Sequence, residues 1–211
     1  MAENSPLDVS AWIRSLGPNF KDSIASYSLS CIFPYHQIRV DEPLLRVATN
    51  YWVPSLHVFH FKGIDLCPTI VEFGAIMGEP EIDDLIFPTM GRDLPSLLLV
   101  VLGVLAAMAN RWCVFGKLNL RLVFEYFSDS AHLEGKRPHM YFLRAFCLCA
   151  FARYFLVQNL YCVDLLMCMI AYELKRGNPV GLILVETLNG LDAFHRKEAS
   201  FFAGSPLLLQ V

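Results

Sequence analysis

The chain has 211 residues, of which 55% are hydrophobic and 18% are charged, with a mean hydropathy of +0.44. This composition excludes an intrinsically disordered chain, because it supplies enough apolar side chains for a sizeable core. The formal net charge of -3 excludes the strongly basic surface that is typical of proteins binding nucleic acid through its phosphates.

Two classes of protein fit this composition: a globular protein with a mostly buried helical core, and a small membrane protein. The first twenty residues are polar and interrupted by prolines, unlike a secretory signal. The cysteines are odd in number and lie mostly within apolar runs, which predicts reduced, buried thiols in an intracellular protein. They are Cys31, Cys67, Cys113, Cys147, Cys149, Cys162 and Cys168.

The first 40 residues are predicted to form a loosely packed N-terminal arm. Within it, the stretch "SAWIRSLGP" predicts one short helical turn. Ser10 would cap this turn and Gly17-Pro18 would end it.

Residues 41–211 are predicted to form the domain itself. The domain begins with "DEPLLRVATNYW". An acidic residue, Asp41 or Glu42, followed by a proline predicts a helix from about Pro43.

A β-hairpin is predicted over about residues 57–66. The stretch "HVFHFKGIDL" alternates apolar and polar side chains on either side of Lys62-Gly63. Such alternation around a two-residue turn is typical of a hairpin.

A capped helix is predicted directly after the hairpin. Thr69 and Glu72 have the T-x-x-E spacing of a capping box, in which each side chain accepts a hydrogen bond from a backbone N–H at the helix start. Apolar residues follow at helical spacing, and Gly78 is typical of a helix end. Thr69, Glu72 and Gly78 are therefore predicted to be structural residues.

Two long apolar runs are predicted to form buried helices. Residues 94–110 are shorter than the ~20 apolar residues of a membrane-spanning helix, which favours one buried helix. Residues 139–173 contain charged side chains that a lipid-facing helix excludes, so two packed helices, separated near Gln158-Asn159, are predicted.

One more helix is predicted over "VGLILVETLNGLDAFHRKEA", ending near Asn189-Gly190. Together these elements predict the mainly α class: a helical globular domain with a small β-hairpin leading into a capped helix. The sequence stops on the apolar run "SPLLLQV", which predicts a domain that is incomplete at its C-terminus.

The chemical motifs do not predict a reactive site. His57 and His60 would lie on opposite faces of a strand, and the side chains of Cys147 and Cys149 would diverge on a helix. Neither pair is therefore predicted to bind a metal. No catalytic, cofactor-binding or metal-binding residue is predicted, and neither is a cofactor or a small-molecule substrate.

An acidic cluster lies in a proline-marked segment and is predicted to be a solvated loop, with cation binding as the alternative. It consists of Glu79, Glu81, Asp83 and Asp84.

Two arginines lie within apolar helices. Arg144 and Arg153 must either reach water or pair with an acid. Asp164 and Glu173 are the candidate partners, and structural pairing is favoured over a binding site.

The stretch "YWVPSLHVFHFKGIDLCPTIVEFGAIMGEP" resembles the plant mobile domain family, also labelled aminotransferase-like. The final stretch, "LVETLNGLDAFHRKEASFFAGSPLLLQV", is similar to a variant of this family in plant retroelement-type proteins, where the chain continues with a Trp-containing helix. The resemblance covers roughly residues 45–211. The shared pattern is Trp52, an extended segment from His57 to Phe61, a glycine turn, and Pro68-Thr69 with Glu72 opening a helix that closes at Gly78.

This resemblance implies a mostly helical, intracellular protein of the nucleus. Members of the family occur in plant transposable elements and in host genes derived from them, and better-known relatives are linked to transposon silencing, genome stability and meristem maintenance through protein partners. The aminotransferase label implies a pyridoxal-phosphate lysine, but no lysine here lies in a context typical of that role. The shared motifs carry no known catalytic residues, so none is transferred.

The favoured hypothesis is a non-enzymatic, transposon-derived module that binds protein partners, and nucleic acid only indirectly. One alternative is a small membrane protein that uses residues 94–110 and 139–173. The other is a fragment of a nucleic-acid-processing enzyme, whose site would lie where residues 79–84 face an arginine or a histidine.

Overall fold

The computed structural model describes residues 8–15, 18–27, 29–79, 83–86, 94–128, 136–155, 162–163, 165–199, 202, 204–206 and 208–210. Over these residues the fold is mainly α, as predicted, with two small antiparallel sheets. The helices are α1 (Val9–Ser15), α2 (Pro18–Ala25), α3 (Ile32–Tyr35), α4 (Glu42–Ala48), α5 (Ile70–Met77), α6 (Leu94–Leu102), α7 (Ala106–Trp112), α8 (Leu120–Ser128), α9 (Lys136–Tyr154), α10 (Leu165–Glu173) and α11 (Val180–His195). The strands are β1 (Trp52–Val53), β2 (Val58–Phe61), β3 (Ile64–Leu66), β4 (Cys113–Val114), β5 (Lys117–Asn119) and β6 (Cys162–Val163).

The predicted hairpin is confirmed as β2 and β3, but it belongs to a larger sheet. Sheet A has the strand order β1-β2-β3, and a second sheet has the order β4-β5-β6. The hairpin turn places both Lys62 (φ 48°) and Gly63 (φ 85°) at positive φ, which is the backbone requirement of a type I′ hairpin turn. Strand β1 was not predicted, because two residues are too few to show an alternating pattern.

Helix α9 lies at the centre of the main core. It packs against α1, α2, α3, α6, α8 and α10. Its side chains from Phe142 to Ala152 are almost all buried, as expected of a helix that is apolar on every side.

The N-terminal residues differ from the loosely packed arm that the sequence predicts. Val9, Trp12 and Ile13 of α1 are buried in the main core. The Trp12 ring meets those of Phe142 and Phe146 edge to face, at centroid distances of 5.2 and 5.3 Å. The apolar face of α1 covers α9, so this segment is part of the domain.

The start of α1 also differs from the prediction. The backbone N–H of Ala11 donates to the Asp8 carboxylate at 2.7 Å, so Asp8 caps the helix in place of Ser10. Aspartate is as good a cap as serine, and Ser10 lies within α1, where its hydroxyl meets the Tyr154 hydroxyl at 2.9 Å. Helix α1 ends at Ser15, and the predicted stop at Gly17 lies outside the described residues.

The apolar run 94–110 forms two helices, which corrects the prediction of one. Helices α6 and α7 meet at an angle of 114°, and Gly103 at the bend has φ 65°. A Cβ atom at Gly103 would overlap with the ring of Tyr141 from α9. The bend therefore needs glycine both for its left-handed backbone and for the close approach of α9.

Among the described residues, no single helix has the length and apolar composition needed to cross a membrane. The bent pair of α6 and α7 meets that requirement only when its two helices are counted together.

The prediction of two helices within residues 139–173 is confirmed by α9 and α10. The predicted break near residues 158–159 lies outside the described residues. Helix α11 continues beyond the predicted end at Asn189-Gly190 and reaches His195. Gly190 and Leu191 are both buried within the helix.

Candidate interaction surface

The junction between β3 and α5 has the capping box that the T-x-x-E spacing predicts. The backbone N–H of Glu72 donates to Thr69 Oγ1 at 3.2 Å, and the backbone N–H of Thr69 donates to Glu72 Oε2 at 3.0 Å. The Thr69 hydroxyl also donates to Glu72 Oε2 at 2.8 Å. These bonds fix the point at which the chain leaves the hairpin and enters the helix.

Gly78 ends α5, as predicted. It is in the left-handed conformation, with φ 78° and ψ 18°. Its N–H donates to the Ala75 carbonyl at 3.2 Å, and the N–H of Glu79 donates to the Gly74 carbonyl at 2.8 Å. This pair of bonds is the Schellman motif. Thr69, Glu72 and Gly78 thus shape α5, and they orient Phe73 and Met77 into the main core.

Sheet A has one apolar face. Residues directly opposite each other in antiparallel strands share a face. Phe59 pairs with Trp52 on one side and with Leu66 on the other, and Phe61 pairs with Ile64. Five apolar side chains therefore lie on the same side of the sheet.

Helix α11 covers this face at its β1 end. Trp52, Phe59 and Leu191 form a small buried core. The Trp52 indole N–H donates to the Asp192 carboxylate at 2.8 Å. Arg196 and His57 also lie against Asp192, at 3.2 and 3.5 Å. One carboxylate thus ties the sheet to the helix.

The same face is open at its β3 end. Ile64 is 63% exposed and Leu66 is 52% exposed. Phe61 is partly buried, and its ring lies 4.6 Å from that of Tyr51, which is 44% exposed. We call Tyr51, Phe61, Ile64 and Leu66 the open face. Among the described residues, β3 is an edge strand of sheet A, at the side away from β1.

The opposite side of the sheet at β3 is polar. His60 pairs with Asp65 across the two strands, and His60 Nδ1 lies 2.6 Å from the Asp65 carboxylate. Both side chains are 55% exposed. The edge strand therefore presents an apolar, acidic, apolar order along Ile64, Asp65 and Leu66.

The two histidines do not form a ligand pair. His60 is on β2, whereas His57 lies in the preceding turn with φ 52°, which corrects the expectation that both would lie on the strand. His57 faces Asp192 and His60 faces Asp65. Within the described part of the chain, no group of three histidine, cysteine or acidic side chains is placed to hold a metal ion.

The cysteines are free thiols, and four are buried, which confirms the prediction for those four. Burial raises the pKa of Cys31 to about 12 and raises the pKa of Cys147 and Cys149 as well, so these thiols stay protonated and unreactive. Cys67 is exposed, which differs from the prediction, because it follows the edge strand β3. Cys113 and Cys162 are half-buried.

The described part of the acidic cluster is held by backbone hydrogen bonds. The N–H of Asn178 donates to the Asp84 carbonyl at 2.9 Å, and the N–H of Ile86 donates to the Asn178 carbonyl at 3.0 Å. The Asn178 side chain also accepts a hydrogen bond from the N–H of Val180, the first residue of α11, at 2.8 Å. None of the ion pairs between described residues involves Glu79, Asp83 or Asp84. Residue 81 lies outside the described residues.

Among the described residues, Arg144 pairs with no acid, whereas the sequence indicates an acidic partner or a position that reaches water. Its guanidinium donates to the carbonyls of Val100 and Val101, at 3.2 and 3.5 Å, in the last turn of α6. It also lies 4.8 Å from the centre of the Tyr172 ring. Glu173 pairs with Arg176 at 3.6 Å, and residue 164 lies outside the described residues. A cation at a helix C-terminus is favoured by the helix dipole.

The sequence interpretation missed the residues that create the interaction surface. Asp192 belongs to "DAFHR", whose Asp192–Arg196 spacing predicts a helical ion pair, but nothing in that spacing points to Trp52. The exposure of Ile64 and Leu66 depends on where α11 ends over the sheet. No family model, curated protein or solved structure matches the chain.

Proposed function

We propose that the chain is a non-enzymatic protein-interaction module that binds a partner polypeptide through the open face of sheet A. The observation that carries this proposal is the continuity of the apolar side chains. Single exposed apolar residues are common on protein surfaces, whereas adjoining ones mark binding sites. Phe61 and Ile64 are cross-strand neighbours, and Phe61 lies against Tyr51.

The scaffold beneath the open face supports the proposal. The capping box fixes the chain after β3, and Asp192 ties β1 to α11. A surface held in place before binding loses little conformational entropy when a partner docks. The apolar side chains are thus exposed on a rigid element.

The wider setting of this proposal rests on the resemblance of residues 45–211 to the plant mobile domain. On this basis we propose that the module acts in the nucleus, in a protein of transposon origin, with a link to transposon silencing or genome maintenance. A fluorescently tagged chain in plant cells tests the location: nuclear accumulation supports this setting, and exclusion from the nucleus contradicts it.

Site-directed photo-cross-linking tests the proposed surface. A photoreactive residue replaces Ile64 in one variant and Val185, 52% exposed on α11, in a control variant. Proteins captured only through position 64 are then purified and titrated against the purified chain. We expect an Ile64→Ser, Leu66→Ser double variant to bind at least about tenfold more weakly, because central apolar contacts dominate interface energetics.

The matched control is Val185→Ser, which removes an exposed apolar side chain from a different surface and leaves binding unchanged. Equal melting temperatures of all variants show that the fold is retained. The proposal is wrong if no captured protein binds the purified chain, or if the double variant and the Val185 variant bind equally well.

A further inference from the structure

The partner's chemistry can be inferred from the edge strand, provided that the proposed function holds. Edge strands present unpaired backbone N–H and C=O groups, and an extended peptide can pair with them to add one strand to the sheet. Within the described residues, β3 has β2 on one side and no strand on the other.

A strand added at β3 would meet two different environments in alternation. Side chains of a strand point to opposite faces in turn. Those on one side would extend the open face beside Ile64 and Leu66, and so would be apolar. Those on the other side would include the residue opposite Asp65, whose side chain is 55% exposed.

Charge decides which residue fits opposite Asp65. Opposite charges at directly paired positions stabilise a sheet, and like charges destabilise it. Lys62 lies in the turn and outside the paired positions of β3. His60 meets Asp65 from β2 at 2.6 Å, and the Asp65 side chain remains 55% exposed. A lysine or arginine opposite Asp65 is therefore favoured over an aspartate or glutamate.

The same rule argues against a second copy of this chain as the occupant. In an antiparallel pairing of two β3 strands, Ile64 of each copy lies opposite Leu66 of the other. This register places the two Asp65 carboxylates directly opposite each other, which is unfavourable. The edge is thus better suited to a different polypeptide.

We propose that β3 binds an extended segment of a partner protein in which a basic residue lies between two apolar residues. The partner pairs with β3 through its backbone, places its apolar side chains on the open face, and places its basic side chain against Asp65. This inference rests on the proposed function and specifies the partner's sequence pattern.

Two synthetic seven-residue peptides test the proposal. Both carry valine at the odd positions and threonine at two even positions, and the central residue is lysine in one and glutamate in the other. Binding is followed at low ionic strength by NMR shifts of the backbone amides of Ile64, Asp65 and Leu66. We expect the lysine peptide to bind about fivefold more tightly or better, and Asp65→Lys to reverse the preference.

Asp83→Lys is the matched control, since it changes the net charge equally at an exposed position outside the sheet. It should leave the preference for the lysine peptide intact. The proposed preference for a basic central residue is wrong if the two peptides bind β3 equally well, or if Asp65→Lys and Asp83→Lys have equal effects. Either result leaves the proposed function standing. If neither peptide shifts the β3 amides, strand addition is overturned, whereas the proposed function falls only if the cross-linking experiment also fails.

Discussion

At the scale of single residues, the start and the end of α5 follow directly from the chemistry of the residues at those positions. Thr69 and Glu72 satisfy orphan N–H groups at the start of the helix, and Gly78 adopts the left-handed conformation at its end. These interactions span three or four positions in sequence. This is why the sequence alone predicts them correctly.

We expect Thr69→Ala to lower the free energy of unfolding by about 1 kcal/mol, because the N–H of Glu72 loses its acceptor. Urea denaturation measures the change. Thr69→Ser is the control, since its hydroxyl can still accept this bond, and it should stay within a few tenths of a kcal/mol of the native chain. Equal losses in the two variants would contradict a role for the hydroxyl.

A second prediction at this scale concerns the buried thiol of Cys31, whose pKa is raised from 9.0 to about 12 by burial. The unfolded chain releases this proton first as the pH rises. The thiol's contribution to stability is therefore complete below about pH 9 and is lost between about pH 9 and pH 12. Burial also raises the pKa of Tyr27 and Tyr154, which adds to the loss of stability at alkaline pH.

We expect the urea midpoint of the native chain to fall as the pH rises above about 9, and to fall less steeply in Cys31→Ala. Cys67→Ala is the control, because Cys67 is exposed, and it should follow the native pH profile. An identical alkaline slope for Cys31→Ala and the native chain would show that this thiol does not contribute.

At the scale of helices, the α6–α7 bend depends on two residues of α9. Tyr141 packs where a side chain on Gly103 would lie, and Arg144 donates to the last-turn carbonyls of α6. Every residue carries a backbone carbonyl, so the sequence does not show which ones accept a hydrogen bond from Arg144. The bend at Gly103 was missed for a related reason: an isolated glycine in an apolar run also occurs in straight helices.

We expect Gly103→Ala to destabilise the fold by about 2–4 kcal/mol, from left-handed strain and from overlap with Tyr141. Gly116→Ala is a matched control. Gly116 also has positive φ, but nothing lies within 4 Å of its Cβ position, so backbone strain alone should cost about 1–2 kcal/mol. Thermal and urea unfolding of both variants measure the difference.

A partial recovery of stability when Tyr141→Ala is added to Gly103→Ala would confirm the overlap. Equal losses for Gly103→Ala and Gly116→Ala would contradict it.

We expect Arg144→Met to cost about 1.5–3 kcal/mol, the range for hydrogen bonds that involve a charged group. The variant leaves two carbonyls of α6 without their donor. Arg153→Met is the control. Arg153 is half-buried, and its guanidinium lies over the Tyr154 ring at 5.8 Å. This variant should lower the free energy of unfolding by about 1 kcal/mol or less. A neutral effect of Arg144→Met in urea unfolding would contradict the capping role.

At the scale of the whole molecule, composition and periodicity predict the class of fold but not its arrangement. The mainly α class, the hairpin and the paired helices of residues 139–173 follow from patterns within short windows. The placement of α1 on α9 and of α11 over sheet A depends on contacts between distant segments. The open face could not be predicted, because it is defined by the part of sheet A that α11 leaves uncovered.

The bond between Trp52 and Asp192 joins positions that are 140 residues apart. Ribosomes extend a chain by roughly 5–20 residues per second. Leu191 and Asp192, which cover Trp52 and Phe59, are therefore synthesised roughly 7–30 seconds after Trp52. Throughout that interval the whole apolar face of sheet A is available to chaperones and to neighbouring chains. Sheet A is thus expected to complete its folding late in synthesis, well after its own strands have been made.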